Sequence, residues 1–221
     1  MSAPSIAVVI AIRDQARYLP DALDSVERQT LQPQQVIVVD DGSTDGTGDV
    51  ARERGVTTLV TEGIGPAGAR QLGLDAVETE YVAMLDGDDR FTPGHHELLA
   101  AAIGDADAVG GRVRQFYDPG REEELAAKYA LEEEPKGVML GSMLIRCSSL
   151  RRLGGFPQDG QHDFIQVIRM LGDFPRIEQV TLERRIHGAN MTIVDRELMR
   201  EAYLRTAREA IMQRRQGGGE S

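Results

Sequence analysis

The sequence has little cysteine and no long apolar run, and both shortages narrow the class of protein. Its single cysteine, Cys147, can form no internal disulfide and has no neighbouring Cys to build a zinc site. We expect it to pack as a small apolar side chain in the core. No run of about 18 or more apolar residues is present, and the start of the chain lacks the features of a secretory signal. We therefore predict a cytoplasmic protein without transmembrane segments.

Positive charge is also scarce, because 25 Lys and Arg stand against 36 Asp and Glu, which gives a formal net charge of −11. Such a surface repels phosphate backbones, so nucleic acid and anionic membranes are poor partners. The sequence contains neither GxGxxG nor GxxxxGK[ST], which removes the main support for a nicotinamide dehydrogenase and for a P-loop NTPase. An enzyme of this composition that holds an anionic diphosphate needs local compensation from a metal ion or from basic side chains.

Apolar, β-branched runs alternate with segments of helical spacing through the first hundred residues. Strands are predicted at 5–12, 35–39, 57–60 and 81–85, and helices from 18, at 47–54, at 67–78 and at 94–103. Repeated strand and helix units favour right-handed crossovers between parallel strands. We therefore predict a single α/β domain of Rossmann-like type, with a mostly parallel central sheet flanked by helices.

The order is looser beyond residue 105. Strands are expected at 106–116, 137–146 and 177–186, an exposed helix or lid at 121–134, and helices at 163–171 and 195–215. The last helix carries apolar residues that either pack on the core or mediate a homodimer. Residues 216–221 are polar and rich in glycine, which predicts a disordered tail.

Two acidic clusters follow predicted strands. DDGSTDGT occupies 40–47, after the second strand, and DGDD occupies 86–89, after the fourth. In open α/β sheets ligands bind beyond the carboxyl ends of the strands, so both clusters are expected at one edge of the sheet. Closely spaced carboxylates suit a hard divalent cation. An isolated DGDD is more typical of a turn, but the second cluster at the same edge favours a metal site.

The first cluster and the loop after it have alternatives. From Asp41 onward the cluster matches the opening of an EF-hand calcium loop, but Arg52 replaces the final Glu, and a strand instead of a helix precedes it. Its hydroxyl side chains are also expected to cap the following helix, namely Ser43, Thr44 or Thr47. The Gly-rich segment 63–76 is as consistent with a tight loop as with an anion site at a helix N-terminus.

Five segments, in this order, resemble family 2 glycosyltransferases of the GT-A fold: VVIAIRDQARYLPDALDSVERQT, VIVVDDGSTDGT, GARQLGLDAVETEYVAMLDGDD, GSMLIRCSSLRRLGGF and HDFIQVIR. The resemblance covers about residues 5–192. It implies a catalytic domain at 1–192, followed by a C-terminal helix at 193–215 and the tail at 216–221. It also implies inverting, metal-dependent transfer of a sugar, with a hexose and a UDP-sugar donor favoured. The acceptor hydroxyl, on a small molecule, a peptide or a lipid-linked compound, is not identified.

The resemblance implies a role for several residues. Asp41 would contact the base, Asp86 would face the ribose, and the remaining nucleotide-binding candidates are Ala11, Arg13 and Arg70. Asp88 would ligate Mn²⁺ or Mg²⁺, and His187 corresponds to a His that approaches the metal or the diphosphate in many relatives. A bridging cation would stabilise the negative charge that develops on the leaving diphosphate. Asp89 is expected only to orient the loop.

Asp163 matches the position of the catalytic base of the family, which would deprotonate the acceptor hydroxyl. The sequence departs from the family pattern here, because His162 stands where a Glu is usual. His162 is therefore a rival base, or simply a residue at the N-terminus of a helix. Arg184 and Arg185 either supply positive charge to the diphosphate or are solvated surface residues. His95 is predicted to lie on the surface at a helix start, together with His96.

The sequence also bears on three other functions. The absence of transmembrane spans and of a QxxRW element speaks against a processive polysaccharide synthase of the membrane type. A sugar nucleotidyltransferase would be expected to show a Gly-rich, basic signature near the first strand, and SIAVVIAIRDQ has none. A catalytically silent nucleotide-sugar binding module remains an alternative because of the irregular His162.

Overall fold

A computed structural model describes residues 3–131, 138–157 and 163–190, with Asp163 described by its backbone alone. In chain order the elements are β1 (Ile6–Ile12), α1 (Leu19–Glu27), β2 (Gln35–Asp40), α2 (Thr47–Glu53), β3 (Thr57–Val60), α3 (Gly65–Asp75), β4 (Tyr81–Asp86), β5 (Arg90–Phe91), α4 (His95–Ile103), β6 (Ala108–Tyr117), α5 (Glu122–Ala126), a 3₁₀ turn (Leu140–Ser142), β7 (Met143–Arg146), α6 (Cys147–Arg152), α7 (Asp163–Met170) and β8 (Arg176–Ile186). Within these ranges, no helix is both long and apolar enough to cross a bilayer.

The first four strands form a parallel block in the order β3-β2-β1-β4. Ala11 of β1 lies opposite Val39 of β2 on one side and opposite Asp86 of β4 on the other. Ile12 lies opposite Asp40. The carboxyl ends of β1, β2 and β4 are therefore level, and the loops that follow them leave from one edge of the sheet.

The second half of the chain extends the same sheet in the order β4-β7-β6-β8-β5. Strand β7 is antiparallel to β4 and to β6, whereas β8 runs parallel to β6 and antiparallel to β5. The register places Arg90 opposite Glu183 and Phe91 opposite Leu182. The pairing of β5 with β8 brings the end of β8 to the loop after β4, from which β5 follows.

Both faces of the central strands are buried, which explains their continuous apolar composition. On β1, Ile6, Val8 and Ile10 pack on one face with apolar residues of α1 and α4, while Ala7 and Val9 pack on the other face with α3 and β7. Each fully buried large apolar side chain stabilises the fold by about 1.5–3 kcal/mol. A Cβ at Gly73 of α3 would lie 2.3 Å from a methyl carbon of Val9, so the glycine permits close helix–sheet packing.

Most predicted elements are present, and two of the predicted elements need correction. The helix predicted at 121–134 covers only Glu122–Ala126 before residue 132, where the description stops. The strand predicted at 137–146 is a 3₁₀ turn at Leu140–Ser142 followed by β7 alone. The short β5 and the helix α6 were not predicted. The predicted C-terminal helix and tail lie outside the described residues.

The prediction that His95 and His96 lie on the surface is wrong, because both side chains are fully buried. His95 stacks on Phe91 with ring centroids 3.9 Å apart, and its Nδ1 lies 3.0 Å from the carbonyl oxygen of Thr181. His96 Nδ1 lies 2.9 Å from the carbonyl oxygen of Leu31. Burial lowers the pKa of His96 to about 4 and that of His95 well below its ordinary value. Both rings are therefore neutral parts of the core.

The expected core position of Cys147 is confirmed. Its side chain is 2% exposed and belongs to the apolar cluster on the α3 face of the sheet. Burial raises the pKa of the thiol to about 11, so the thiolate is scarce at neutral pH. The residue packs as a small hydrophobe.

Candidate active site

A cavity of about 540 Å³ opens at the carboxyl ends of β1, β2 and β4. Seven of the residues singled out from the sequence line it: Ala11, Arg13, Asp41, Arg70, Asp86, Asp88 and His187. Asp163 is the first residue of α7, and its neighbour Phe164 lines the cavity. His162 lies outside the described residues. The structure thus brings together the predicted nucleotide and metal residues at one edge of the sheet.

Asp41 is buried, and its carboxylate organises the loop between β3 and α3. Its Oδ1 accepts hydrogen bonds from the Thr61 hydroxyl and from the Ile64 amide, the latter at 2.7 Å. Its Oδ2 accepts one from the Gly65 amide at 2.9 Å. A carboxylate has about four lone-pair sites, so the three donors found among the described residues leave capacity for one more on Asp41, which lines the cavity. Gly65 has a φ of 84°, which a glycine adopts without strain.

The rest of the first acidic cluster clamps the loop that follows β1. Ser43 Oγ accepts a hydrogen bond from the Asp14 amide at 2.9 Å, and Thr47 Oγ1 accepts one from the Gln15 amide at 3.0 Å. Asp45 Oδ2 accepts one from the Ala16 amide at 2.9 Å. The predicted capping of α2 by Ser43, Thr44 or Thr47 is therefore wrong, and no side chain caps the helix at Gly46.

Hydrogen bonds also run in the opposite direction between these two loops. The Asp14 carboxylate accepts from the amide of Thr44 at 2.7 Å and from its hydroxyl at 3.2 Å. Asp14 has a φ of 49°, a left-handed conformation that Asp tolerates better than most residues. The clamp holds the cavity-lining segment Arg13–Gln15 in place through its backbone.

The second acidic cluster forms a tight turn against β1. The Asp89 amide donates to the Asp86 carbonyl oxygen at 3.0 Å. A Cβ at Gly87 would lie 2.3 Å from Ile12 Cδ1, so a larger residue would push the turn away from the sheet. Asp86 Oδ1 accepts from Arg70 Nη2 at 3.0 Å, and its side chain remains 46% exposed. Asp86 therefore faces the cavity with a buried arginine beside it.

Asp88 is held by side chains from the loop after β8. Its Oδ2 lies 2.9 Å from His187 Nε2 and accepts a hydrogen bond from Asn190 Nδ2 at 3.2 Å. The side chains of Asp88 and His187 are 12% and 7% exposed. Asn190 also accepts from the His187 amide at 3.0 Å, which fixes the loop that carries the imidazole.

The side chains of Asp88 and His187 fit a divalent cation that takes its other ligands from a substrate. Two ligands at right angles on a cation with ~2.1 Å bonds are about 3.0 Å apart, and the Asp88 and His187 atoms are separated by 2.9 Å. A carboxylate oxygen with an imidazole nitrogen suits Mn²⁺, whereas Mg²⁺ prefers oxygen alone. Among the described residues, no three His, Cys, Asp or Glu side chains form a complete metal site. Phosphate oxygens and water would have to supply the remaining ligands.

Arg185 is buried, so the suggestion that it is a solvated surface arginine is wrong. Its Nη1 lies 3.2 Å from Asp118 Oδ1, its Nη2 pairs with Asp21, and its Nε donates to the Asp88 carbonyl oxygen at 2.9 Å. Its amide donates to Asp89 Oδ1 at 2.9 Å. Burial, with the charges of Asp88 and Asp86, raises the pKa of Asp89 well above its ordinary value. Arg184, the neighbour in β8, lines the cavity.

Two residues of this site were missed in the sequence. Asn190 follows His187 by three residues, and an Asn after a loop His is too common to signal a role. Tyr18 lines the cavity, and its ring centroid lies 4.8 Å from that of His187. It was read only as the beginning of a helix. Asn190 contacts Asp88 and Tyr18 contacts His187, and both contacts join residues that lie far apart in the sequence. Neither contact therefore leaves a readable pattern.

Comparison with known proteins gives the family. The model of glycosyl transferase family 2 matches residues 7–155, more than half of the chain. The chain belongs to this family. It is 25% identical to the glycosyltransferase EpsH of Bacillus subtilis (strain 168) over 143 residues, which are 62% of this chain and 42% of that protein. It is 31% identical to the glycosyltransferase GlyG of Streptococcus pneumoniae serotype 4 over 119 residues, or 50% and 40%. The chain thus spans less than half the length of these family 2 relatives.

Solved structures confirm the GT-A type of α/β fold. S. aureus TarS 1–349 in complex with UDP matches with a TM-score of 0.63 at 18% identity, over 82% of this chain and 60% of that chain. The mannosyltransferase PcManGT from Pyrobaculum calidifontis, in complex with GDP-Man and Mn²⁺, matches with a TM-score of 0.61 at 21% identity, over 86% and 59%. Family 2 membership also speaks against the nucleotidyltransferase alternative.

Proposed function

We propose that this family 2 chain transfers a sugar from a nucleotide-diphosphate sugar to an acceptor hydroxyl, with inversion and with the help of Mn²⁺ or Mg²⁺. The catalytic unit would span residues 1–192. The observation that carries the proposal is the cavity shared by Asp41, Asp86, Asp88 and His187. A single buried thiol without a disulfide partner is compatible with a cytoplasmic location.

The remaining acceptor capacity of Asp41 favours a base that presents a ring N–H group. Uracil and thymine carry such a group at N3 and guanine carries one at N1, whereas cytosine and adenine have a lone pair at that ring position and offer an N–H only from an exocyclic amino group. We favour a UDP-sugar among these donors. The structures of TarS with UDP and with UDP-GlcNAc are consistent with this choice, while PcManGT was solved with GDP-Man.

The diphosphate would lie among the carboxylates of the second acidic turn. These carboxylates repel it, so binding requires positive charge, which Arg70 and Arg184 at the cavity wall supply in part. Asp88 and His187 would hold the cation. When bound, the cation acts as a Lewis acid on the diphosphate leaving group. Asn190 and Arg185 would keep Asp88 in position, and Asp86 would face the ribose.

The acceptor would enter from the side of α7. Met139, Leu140 and Phe164 give this part of the cavity an apolar wall. We propose that Asp163, at the first position of α7, removes the proton from the acceptor hydroxyl as it attacks the anomeric carbon. The acceptor would be a small molecule, a peptide or a lipid-linked compound.

A donor panel tests this function. The protein is incubated with Mn²⁺ and with UDP-, GDP-, dTDP-, CDP- and ADP-sugars, and release of nucleoside diphosphate is followed with and without candidate acceptors. We expect release from a donor whose base carries a ring N–H group and much less from CDP- or ADP-sugars. Binding without turnover across the panel would instead favour the silent binding module, and turnover confined to CDP- or ADP-sugars would contradict the role of Asp41.

A further inference from the structure

We propose that Arg185 is a positioning residue that sets the Asp88 turn for cation binding, acting through Asp88 and not on the substrate. This inference rests on the proposed function, because it assumes that Asp88 holds a cation. The Arg185 guanidinium connects the Asp88 turn to two distant parts of the fold. It pairs with Asp21 of α1 and with Asp118 at the end of β6.

The contacts of Arg185 with the acidic turn come from three groups of the same residue. The side chain donates from Nε to the Asp88 carbonyl oxygen, and the backbone amide donates to Asp89 Oδ1, both at 2.9 Å. The backbone carbonyl accepts from Asn190 Nδ2 at 2.9 Å, and the same nitrogen donates to the Asp88 carboxylate. Arg185 thus contacts the Asp88 carbonyl and the Asp89 carboxylate directly, and it contacts the Asp88 carboxylate through Asn190.

The guanidinium is itself fixed from every side. The Arg185 side chain is 4% exposed. Its Cζ lies 5.3 Å from the ring centroid of Tyr18 and 4.8 Å from that of Phe116. Its two terminal nitrogens pair with Asp118 and Asp21. A planar fork can serve these two carboxylates and the Asp88 carbonyl at once, whereas the compact ammonium of lysine lacks that fixed geometry. Arg185→Lys therefore keeps the charge and loses the positioning.

Arg90 provides a matched control. It also pairs with Asp21, at 3.5 Å, and its Cζ lies 4.1 Å from the Phe116 centroid. Its other ion pair among the described residues, at 3.0 Å, is with Glu183. Arg90→Lys therefore disturbs the same partly buried cluster of charges and rings without removing the hydrogen bond to the Asp88 carbonyl. The Arg90 side chain is more exposed than that of Arg185, 27% against 4%, so thermal unfolding of both variants is used to separate lost stability from lost positioning.

The test measures Mn²⁺ affinity in the presence of saturating UDP, by the loss of the electron paramagnetic resonance signal of free Mn²⁺. UDP affinity without metal and thermal unfolding are recorded for each protein. We expect Arg185→Lys to weaken Mn²⁺ binding by about 10–100-fold, the usual effect of removing a residue that orients a metal ligand. Metal-free UDP affinity should stay unchanged, and Arg90→Lys should bind Mn²⁺ like the wild type.

The inference would be overturned if Arg185→Lys bound Mn²⁺ as tightly as the wild type, or if Arg90→Lys lost as much Mn²⁺ affinity as Arg185→Lys. The proposed function would stand in both cases. Failure of the wild type to bind Mn²⁺ with UDP would overturn both. If Arg185→Lys does not fold, Asp118→Asn retains the guanidinium and removes one of its anchors. We expect Mn²⁺ binding to weaken less in that variant, by about 3–10-fold. Unchanged Mn²⁺ affinity in Asp118→Asn would also overturn the inference.

Discussion

The two acidic loops of the sheet edge have similar compositions and use their carboxylates differently. In the loop after β2, the oxygens of Asp41 and Asp45 accept hydrogen bonds from backbone amides of neighbouring loops. In the loop after β4, Asp86 and Asp88 face the cavity, and basic or amide side chains hold them there. The first loop is chiefly a clamp that shapes the proposed nucleotide pocket, and the second is the candidate cation site.

The difference shows that an acidic motif acquires its role from what its oxygens face. A carboxylate that accepts several backbone amides has little capacity left for a cation, and its loss is felt as loss of structure. A carboxylate that contacts an imidazole across 2.9 Å can exchange that contact for a shared cation. Substitutions in the two loops should therefore separate effects on stability from effects on transfer.

The largest effect is expected for Asp88→Asn. Loss of the negative oxygen weakens cation binding and the stabilisation of the leaving diphosphate, so metal-dependent turnover should fall by roughly 10²-fold or more. Turnover with the best donor is measured across a range of Mn²⁺ concentrations. Asp49→Asn, which changes an exposed carboxylate of α2, should remain active. Undiminished turnover in Asp88→Asn would remove the cation site from this loop.

The next effect is a loss of unfolding free energy at low pH. It separates the contribution of the carboxylate loops from that of the buried histidines of α4. Because His96 has a pKa of about 4 in the fold and about 6.5 when unfolded, the unfolded chain binds more protons between these values. The free energy of unfolding should therefore fall as the pH drops from 6.5 to 4, by about 3 kcal/mol for His96. Denaturant unfolding at several pH values measures this loss.

The matched variant for that experiment is His96→Asn, whose amide can still donate to the Leu31 carbonyl. It should reduce the loss of unfolding free energy between pH 6.5 and 4, and the contribution of His95, whose pKa is also lowered by burial, should remain. The pKa of Asp45 is affected first by burial, which raises it, but hydrogen bonds from Thr47 and Ala16 outweigh this and lower it. Its contribution is present above the ordinary pKa of 3.8 and is lost only as the pH falls further. A profile unchanged by His96→Asn would show that protonation of His96 does not contribute to the acid lability.

Asp41→Asn should show both kinds of effect because Asp41 shapes the pocket and, in the proposed function, faces the base. The new NH₂ group would point at amide or hydroxyl donors, which should cost about 2 kcal/mol of unfolding free energy. The KM for the donor should rise about 10-fold, as the base loses a charged acceptor. Thr61→Val removes one donor and keeps the carboxylate, so it should cost less stability with nearly normal KM. Normal stability and normal KM in Asp41→Asn would contradict both roles.

The smallest effect is expected for Asp45→Ala. It accepts an exposed hydrogen bond from the Ala16 amide and partly buried ones from Thr47, and their loss should cost about 1 kcal/mol of unfolding free energy. Turnover at saturating donor should remain within about twofold of the wild type, because the residue does not line the cavity. A loss of turnover as large as that of Asp88→Asn would show that the clamp takes part in catalysis.

The sequence predicted the sheet and most of the site because both depend on local patterns. Strands buried on both faces read as continuous apolar runs, and the edge to which their loops lead follows from parallel pairing. The two-residue β5 is too short to show a period. The burial of His96 and Arg185 depends on Leu31, Asp21 and Asp118, which lie more than 60 residues away along the chain. Such partners cannot be read from a single sequence.

A crystal structure of the protein with Mn²⁺ and UDP, with anomalous diffraction recorded for manganese, tests the cation site most directly. We expect one strong anomalous peak between Asp88 and His187, in contact with the diphosphate, and the uracil beside Asp41. A peak in the loop at 40–47, or at any place beyond reach of Asp88, would contradict the division of roles between the two loops.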